Sequence, residues 1–393
     1  MIEAPRGNIR GTEFTGSKSM RSPGFKQLTE PIPMNGMQTG SFQKNLLYLI
    51  VPITFLGIMT FSCKNHEPVY SIKMDTLNTR SDASIRALHV VNDRVVWAGG
   101  SESTFLLTTD GGSTWKSGTV PGAGEDEFRC IHAWSADKAI LFGVKNPGRG
   151  YLTTTAGEYW EMVYENSSEG IFFNSLNFAD ISRGIALSDP LDSTSFLIRT
   201  GDGGINWEPL DNLPKLNNGE FNFAASNSCI DYHPSGMVWF ISGGGGARLF
   251  RSENHGDTWE VFETGIAHET PASGIFSVNF IDDSLGIIVG GTYDNPELNI
   301  DIAAWSADGG RTWNLSEKMP AEYRSSVIWL ETEEKRIALA AGKTGFDYSL
   351  DGGRTWNFLS SEGYYTVRGI DGKLEGYAAG SKGRISRFRL SKR

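Results

Sequence analysis

The sequence has few of the residues on which several protein classes depend. Its 393 residues include three cysteines, Cys63, Cys130 and Cys229, which have neither CxxC nor zinc-ligand spacing. A disulfide framework and a structural zinc site are therefore excluded. Long Ala/Glu/Lys/Leu helical segments are also missing, whereas 47 Gly, 22 Phe and 11 Trp are present. This composition predicts many short strands joined by tight turns, and hence an all-β protein.

Positive charge is also scarce. Lysine and arginine number 36 against 46 aspartate and glutamate residues, which gives a formal net charge of -10. This background disfavours an extended nucleic-acid-binding surface, because phosphate contacts require a basic face. No nucleic-acid partner is expected, and any positive site must be local.

The sequence contains one strongly apolar run, Leu46–Ser62, which follows Lys44 and ends immediately before Cys63. At 17 residues with an internal Pro52, this run is short for a membrane-spanning helix. It is typical of an export signal. The pair Ser62-Cys63 resembles the bacterial lipoprotein cleavage site, which would make Cys63 the lipidated first residue of the mature protein. An uncleaved membrane anchor is the alternative.

Residues 1–62 are therefore interpreted as a leader and residues 63–68 as a tether. Because 45 residues precede the apolar run, translation could begin at Met34 or Met37. With either leader the remaining chain is expected to be held at a membrane of a bacterial cell envelope, facing the periplasm or the cell surface.

A short turn motif recurs six times along the rest of the chain. Its best-formed copies read Thr-Thr-Asp-Gly-Gly-Ser-Thr-Trp or a close variant, and successive copies are 43 to 54 residues apart. The copies end at Trp115, Trp160, Trp207, Trp259, Trp313 and Trp356.

The motif's aspartates are predicted to be structural. A carboxylate can accept hydrogen bonds from backbone N–H groups of its own turn, the glycine pair permits positive φ, and the following Trp can be buried between sheets. Each motif would thus fix one β-hairpin. The aspartates concerned are Asp110, Asp202, Asp308 and Asp351.

Three strand-like runs precede each turn and one strand follows it. Each repeat thus contains four strands, which is the size of a propeller blade. Residues 69–393 then form a seven-bladed β-propeller of four-stranded blades. The seventh repeat, residues 364–390, contains only three strands before the chain ends. The alternating segment Val69–Leu77 has no blade of its own, and we expect it to complete blade 7 and close the ring.

These repeats resemble Asp-box (BNR-type) repeats, which occur in sialidases, sortilin-type receptors and photosystem II stability/assembly factor-like propellers. Repeat number, blade length and the lipoprotein-like leader are most similar to the assembly-factor-like group. The resemblance implies the propeller fold and a positive arginine patch used for binding a partner protein. A repeat of this kind leaves the function open.

Motifs for nucleotide or metal chemistry are missing. Gly342-Lys343-Thr344 lacks the upstream glycine of a phosphate-binding loop, and the chain has no Gly-x-Ser-x-Gly, HExxH or dinucleotide-binding fingerprint. Its six histidines lack ligand spacing. A nucleotide-dependent oxidoreductase is therefore disfavoured, and no metal or cofactor is expected.

Alignment of the first strand of every blade places four arginines in one register, in the consecutive blades 6, 7, 1 and 2. The register predicts a positive crescent beside the central channel that would bind a carboxylate or phosphate of a protein or an anionic glycan. Inter-blade salt bridges are the alternative role. The aligned residues are Arg86, Arg129, Asn174, Ala224, Ser277, Arg324 and Arg368.

The favoured function is that of a monomeric, membrane-tethered, protein-binding or assembly module. A sialidase-like glycoside hydrolase is the alternative, since sialidases also place arginines at the propeller centre. The sialidase Arg-Ile-Pro signature is missing, because Arg86 is followed by Ala87. Candidate catalytic residues for the hydrolase are Asp189, Glu220, Glu362 and Tyr365.

Overall fold

The computed structural model describes residues 68–393. This part of the chain forms 30 β-strands arranged as seven antiparallel sheets. No helix within residues 68–393 is long and apolar enough to cross a membrane. The leader, the tether up to residue 67 and the proposed lipidation site Cys63 lie outside the described residues.

The sheets are the blades of a seven-bladed propeller. Blade 1 contains β2 (Ile85–Val90), β3 (Val96–Gly100), β4 (Thr104–Thr108) and β5 (Lys116–Thr119). Blade 2 contains β6 (Phe128–Ala133), β7 (Ala139–Gly143), β8 (Gly148–Thr153) and β9 (Glu161–Asn166). Blade 3 contains β10 (Phe173–Phe178), β11 (Gly184–Leu191), β12 (Thr194–Thr200) and β13 (Glu208–Pro209).

The second half of the ring follows the same plan. Blade 4 contains β15 (Ile230–Tyr232), β16 (Val238–Ile241), β18 (Arg248–Ser252) and β19 (Glu260–Glu263). Blade 5 contains β20 (Ser273–Phe280), β21 (Gly286–Thr292), β22 (Ala303–Ser306) and β23 (Asn314–Leu315). Blade 6 contains β24 (Ser326–Thr332), β25 (Lys335–Gly342), β26 (Gly345–Ser349) and β27 (Asn357–Ser360).

Blade 7 joins the two ends of the described chain. It contains β28 (Thr366–Gly369), β29 (Glu375–Ala379), β30 (Ile385–Lys392) and, as its outermost strand, β1 (Tyr70–Leu77). β1 runs antiparallel to β30, with Tyr70 opposite Lys392 and Leu77 opposite Ile385. The predicted closure of the ring by the N-terminal strand is confirmed.

The Asp-box turns connect the third and fourth strands of their blades. In blade 1 the Asp110 carboxylate accepts hydrogen bonds from the Thr114 backbone N–H at 2.9 Å and the Thr114 hydroxyl at 2.6 Å. These bonds, the hydroxyl first, lower the pKa of Asp110 to about 2. Asp202, Asp308 and Asp351 make the same backbone contact, which is the contact expected of a carboxylate that holds its own turn.

The tryptophans that follow these turns pack between blades. Trp160 of blade 2 contacts Trp97 and Phe105 of blade 1, with ring centroids 6.2 and 5.3 Å apart. Trp207 of blade 3 contacts Phe142 of blade 2 in the same way. Each motif therefore supplies both a hairpin turn and part of the apolar contact between neighbouring blades.

An additional ribbon interrupts the pattern at blade 4, with one strand before the blade and one between β16 and β18. It pairs β14 (Glu220–Phe221) with β17 (Gly243–Gly244) and extends the sheet of blade 5. Gly243 has no room for a side chain, because a Cβ atom there would collide with the Phe223 ring. The glycine run 243–246 is thus explained by close packing.

The segment after β14, residues 222–228, crosses the central channel, and we call it the channel plug. The side chain of Asn227 donates to the Ile131 carbonyl of blade 2 at 2.9 Å and accepts from the Leu176 N–H of blade 3 at 2.8 Å. The Ser226 hydroxyl donates to the Ser325 carbonyl next to blade 6 at 2.6 Å. The plug thereby separates the two ends of the channel.

Candidate functional site

A cavity of about 470 Å³ opens at the end of the channel where the innermost strands begin, and we call it the upper cavity. Arg86 and Arg129, each the second residue of its strand, line one side. The channel plug contributes Ala224 and Ala225 to the lining. Because the innermost strands of neighbouring blades pack side by side, equivalent residues of several blades meet here.

Arg86 and Arg129 share one carboxylate, that of Glu127. The Arg129 guanidinium lies 3.0 Å and the Arg86 guanidinium 3.6 Å from its oxygens. The two arginine side chains remain 26% and 25% exposed. Burial, followed by the charge of Arg129, lowers the pKa of Arg86. Two cations against one anion leave a net positive charge that suits a ligand carboxylate or phosphate.

Aromatic rings hold the two guanidinium groups in place. Arg86 lies 4.1 Å above the ring of Tyr365, and Arg129 lies 5.6 Å from the ring of Phe172. The Arg129 Nη1 also donates to the Ala224 carbonyl of the channel plug at 3.3 Å. These contacts restrict the rotamers of both side chains and so preorganise them for binding.

Further aromatic residues cover the side of the cavity formed by the plug and blade 5. Phe223 stacks on Phe276 with ring centroids 3.7 Å apart, and Phe276 meets Tyr323 edge-on at 4.8 Å. Phe221 and Tyr293 continue this surface. The cavity thus combines a cationic side with an apolar side.

Asp189 lies in the same cavity without a basic side chain bonded to it among residues 68–393. Its Oδ1 accepts hydrogen bonds from the Asn174 side chain at 2.9 Å and the Asn222 backbone N–H at 3.3 Å. Burial raises the pKa of Asp189 to about 6. Part of the population is therefore protonated near neutral pH.

The predicted four-arginine register is wrong for Arg324. Strand pairing skips Arg86 and Arg129 at β-bulges, whereas pairing in blade 6 begins only at Ser326. The Arg324 backbone N–H donates to the preceding blade, as that of Ile85 does in blade 1. Arg324 therefore aligns with Ile85 and points into the protein, where it is fully buried against Asp347.

The register is also wrong for Arg368, which lies three positions too far along its strand. The backbone N–H of Tyr364 is equivalent to that of Ile85, so Tyr365 takes the place of Arg86 in blade 7. Arg368 instead donates to the Ser226 and Asn227 carbonyls of the channel plug at 2.8 Å each. Arg368 therefore braces the channel plug through carbonyl groups, which differs both from the predicted ligand-binding role and from the alternative inter-blade salt bridge.

Two smaller register errors have the same origin. Ala224 belongs to the plug, since the innermost strand of blade 4 begins at Ile230. In blade 5 the bulge falls at Phe276, so Phe276 rather than Ser277 faces the cavity. Bulges and inserted segments shift a strand by single residues, which an alignment of short repeats does not reveal.

The structure brings only two of the four candidate catalytic residues of the hydrolase alternative into one cavity. Glu220 lies outside blade 4's sheet and is bound by Arg248, Ser242 and the Asn217 N–H. Glu362 is exposed and does not line the upper cavity. Asp189 and Tyr365 do line it. A glycosidase needs two carboxyl groups flanking the scissile bond, and this set does not supply them.

The opposite end of the channel holds a second cavity of about 280 Å³, the lower cavity. It is surrounded by polar side chains from a single position of successive blades, three residues after that of Arg86. The members are His89, His132, Asn177, Asp231, Asn279 and Arg368. The sequence does not reveal this ring, because its members differ in chemical type. Among residues 68–393 no group of three or more potential metal ligands occurs.

Comparisons with known proteins agree with this architecture. No family model matches the chain. Photosystem II assembly lipoprotein Ycf48 of Synechococcus sp. (strain CC9902) is 24% identical over 237 residues, which are 59% of this chain and 62% of that protein. The chain is similar to Ycf48. The alignment thus spans less than two thirds of that relative's length.

Solved structures extend the likeness to nearly the whole propeller. The structure titled YCF48 bound to D1 peptide has 18% identity and a TM-score of 0.56, and covers 83% of this chain and 98% of that one. Inactive virginiamycin B lyase of Staphylococcus aureus with quinupristin has 15% identity and a TM-score of 0.59, covering 82% and 100%. These likenesses show the fold alone, while the resemblance to assembly-factor-like propellers is confirmed.

Proposed function

We propose that this protein is an assembly-factor-like module that binds a segment of another protein in the upper cavity. The observation that carries the proposal is the pair Arg86 and Arg129, which share Glu127 and stand opposite an aromatic surface. Such a cavity fits a carboxylate followed by an apolar side chain. The D1 peptide named in the Ycf48 structure supports a peptide as the class of ligand.

We also propose that the module is exported and tethered to a bacterial membrane through Cys63. The apolar run before Ser62-Cys63 motivates this step. Labelling of cells with a lipid precursor should mark the wild-type protein and not Cys63→Ser. Incorporation that persists in Cys63→Ser would refute the lipidated cysteine.

The binding proposal is tested by removing the two arginines together. An affinity pull-down from the native envelope identifies the partner, and its affinity is then measured for the Arg86→Ala/Arg129→Ala variant. Each charge-assisted contact contributes roughly 1.5 to 3 kcal/mol, so affinity should fall by about a hundredfold or more. The melting temperature should change less, because Glu127 stays partly exposed to water.

Two controls separate binding from folding. Arg94→Ala/Arg336→Ala removes the same charge at exposed positions outside the upper cavity and should leave affinity unchanged. Arg324→Ala leaves Asp347 buried without its partner and should cost about 3 to 5 kcal/mol of stability without weakening partner binding by folded protein. A large stability loss with unchanged affinity in Arg86→Ala/Arg129→Ala would end the proposal, as would a partner that proves to be an anionic glycan.

A further inference from the structure

The upper cavity contains a carboxyl group of its own, although its proposed ligand is an anion. Asp189, near the end of β11, lines the cavity together with Arg86 and Arg129. Its side chain is half-buried, and no basic side chain of residues 68–393 forms a hydrogen bond or an ion pair with it. An ionised Asp189 repels a bound carboxylate, so its protonation state affects the affinity of the site.

The charge of this side of the cavity depends on a single proton. Arg86 and Arg129 contribute two positive charges, and Glu127, which both of them contact, contributes one negative charge. With Asp189 ionised, two cations stand against two anions and no net charge remains. With Asp189 protonated, one positive charge remains for a ligand. The ability of the arginine pair to attract an anion therefore depends on the state of Asp189.

The elements packed around Asp189 supply one charged group that acts on it. β10 supplies the side chain of Asn174 and the channel plug supplies the backbone N–H of Asn222, both of which are neutral donors. The charge that acts on Asp189 is that of Arg129, from blade 2. The thiol of Cys229, just before β15, is buried, which raises its pKa to about 12 and keeps it neutral.

Other groups that line the cavity do not change charge near pH 6. Lys343, from blade 6, donates its ammonium group to the Tyr293 carbonyl, and lysine and arginine side chains titrate well above this range. Burial raises the pKa of Tyr323. No histidine lines the cavity within the part of the chain that the structure describes. A change in ligand affinity around pH 6 is therefore assigned to Asp189.

A bound anion and the proton on Asp189 favour one another. Burial raises the pKa of Asp189 to about 6, although hydrogen bonds and the charge of Arg129 act in the opposite direction. A ligand carboxylate on Arg129 offsets that positive charge and adds a negative one, and both effects raise the pKa of Asp189 further. Because the complex then binds more protons than the free protein, the affinity for an anion must rise as the pH falls.

We infer that the upper cavity binds its anionic segment together with a proton, which Asp189 takes up from the solvent. This inference rests on the proposed function, because the anion is the carboxylate held by Arg86 and Arg129. Both hydrogen bonds to Asp189 go to Oδ1, so Oδ2 can carry the proton while these bonds stay intact. The cavity thus holds its partner more tightly in acidic surroundings and releases it as the pH rises.

An array of capped synthetic peptides tests the proton linkage. Each peptide contains one glutamate and one phenylalanine at varied spacing, and its twin carries glutamine in place of glutamate. Wild-type protein should bind the best glutamate peptide about five- to twentyfold more tightly at pH 5.5 than at pH 7.5, because the protonated fraction of a group with a pKa of about 6 limits binding. Titration calorimetry at pH 7.5 in buffers of different ionisation enthalpy should show uptake of close to one proton, and this measurement needs no variant.

Matched variants assign each outcome to one proposal. Asp189→Asn keeps an oxygen that can accept both hydrogen bonds, and it should bind the glutamate peptide at pH 7.5 about as tightly as wild type does at pH 5.5. Asp192→Asn makes the same charge change at an exposed position near the same hairpin turn and should keep the wild-type pH dependence. Equal wild-type affinity at both pH values, or a pH dependence retained by Asp189→Asn, overturns the proton linkage alone. Glutamate peptides that bind no better than their glutamine twins at either pH overturn it together with the proposed function.

Discussion

His89 and His132 occupy the same position in blades 1 and 2, with ring centroids 4.4 Å apart at the lower cavity. Burial lowers the pKa of His89 to about 3 and lowers that of His132 well below its usual range. Both imidazoles are therefore neutral in the folded protein at neutral pH. Arg368, in the same ring, adds to the effect on His89.

This pair predicts a loss of stability in acid. The unfolded chain binds protons at its histidines below about pH 6.5 while the folded chain does not, so the free energy of unfolding should fall as the pH drops from 6.5 toward 3. At pH 4.5, one such histidine lowers the free energy of unfolding by roughly 2 to 3 kcal/mol relative to its value above pH 6.5. The His89→Asn/His132→Asn variant carries at both positions the asparagine that blades 3 and 5 have there. Its free energy of unfolding, measured by urea titrations at several pH values, should depend less on pH.

Two comparisons make the acid prediction specific. His268→Asn alters an exposed histidine and should leave the profile unchanged. The raised pKa of Asp189 acts in the opposite direction, adding stability as the pH falls through about 6, so the histidine variants are best compared in an Asp189→Asn background. An unaltered acid profile in the double histidine variant would contradict the prediction.

At the scale of elements, the channel plug explains why two arginines of the innermost strands, Arg129 and Arg368, have different roles. Arg129 and Arg368 both donate to plug carbonyls, but Arg129 does so with one nitrogen while another binds Glu127 at the cavity. Arg368 uses two nitrogens on carbonyl groups. The path of one seven-residue segment thus decides which arginine stays available to a ligand.

β1 is the element on which closure of the ring depends. It pairs with β30 along eight residues, and Tyr70 packs edge-on against Tyr348 of blade 6 at 5.6 Å. Deletion of residues 69–77 removes these contacts and exposes the edge of β30. We expect the melting temperature of the whole propeller to fall by several degrees or more, together with a greater tendency to aggregate.

Calorimetry checks this expectation by comparing the deletion with a variant that keeps β1 and carries one substitution in it. Lys73→Ala changes a side chain that is 72% exposed and should melt like wild type, since a surface ion pair contributes little. If the deletion melted at the wild-type temperature, closure through β1 would not stabilise the ring.

At the scale of the whole molecule, the propeller presents two unlike cavities separated by the plug. The upper cavity contains an arginine pair and aromatic rings, and the lower one a ring of histidine, asparagine, aspartate and arginine. A net charge of -10 makes the arginine pair a local exception. Long-range repulsion of anionic partners should thus be overcome only at short distance, where charge-assisted hydrogen bonds act.

Several site residues could be predicted from the sequence because local rules place them. Arg86 and Arg129 follow the start of two strands that have the same length and the same bulge, so a simple repeat alignment suffices there. The alignment fails at Arg324, where no bulge occurs, and at Arg368, where the strand begins later. Asp189 was a catalytic candidate in the sequence, but the hydrogen bonds that hold its carboxylate come from residues 15 and 33 positions away.

The sequence by itself determined the seven blades and their closure, because the Asp-box turns and tryptophans act within one repeat or between neighbouring repeats. Only the tertiary structure decided which charged side chains line the upper cavity. Bulges shift strands by single residues, and the plug between blades 3 and 4 brings Asn222 to Asp189 and Ser226 to Arg368. Contacts of this kind join distant segments, and no local pattern encodes them.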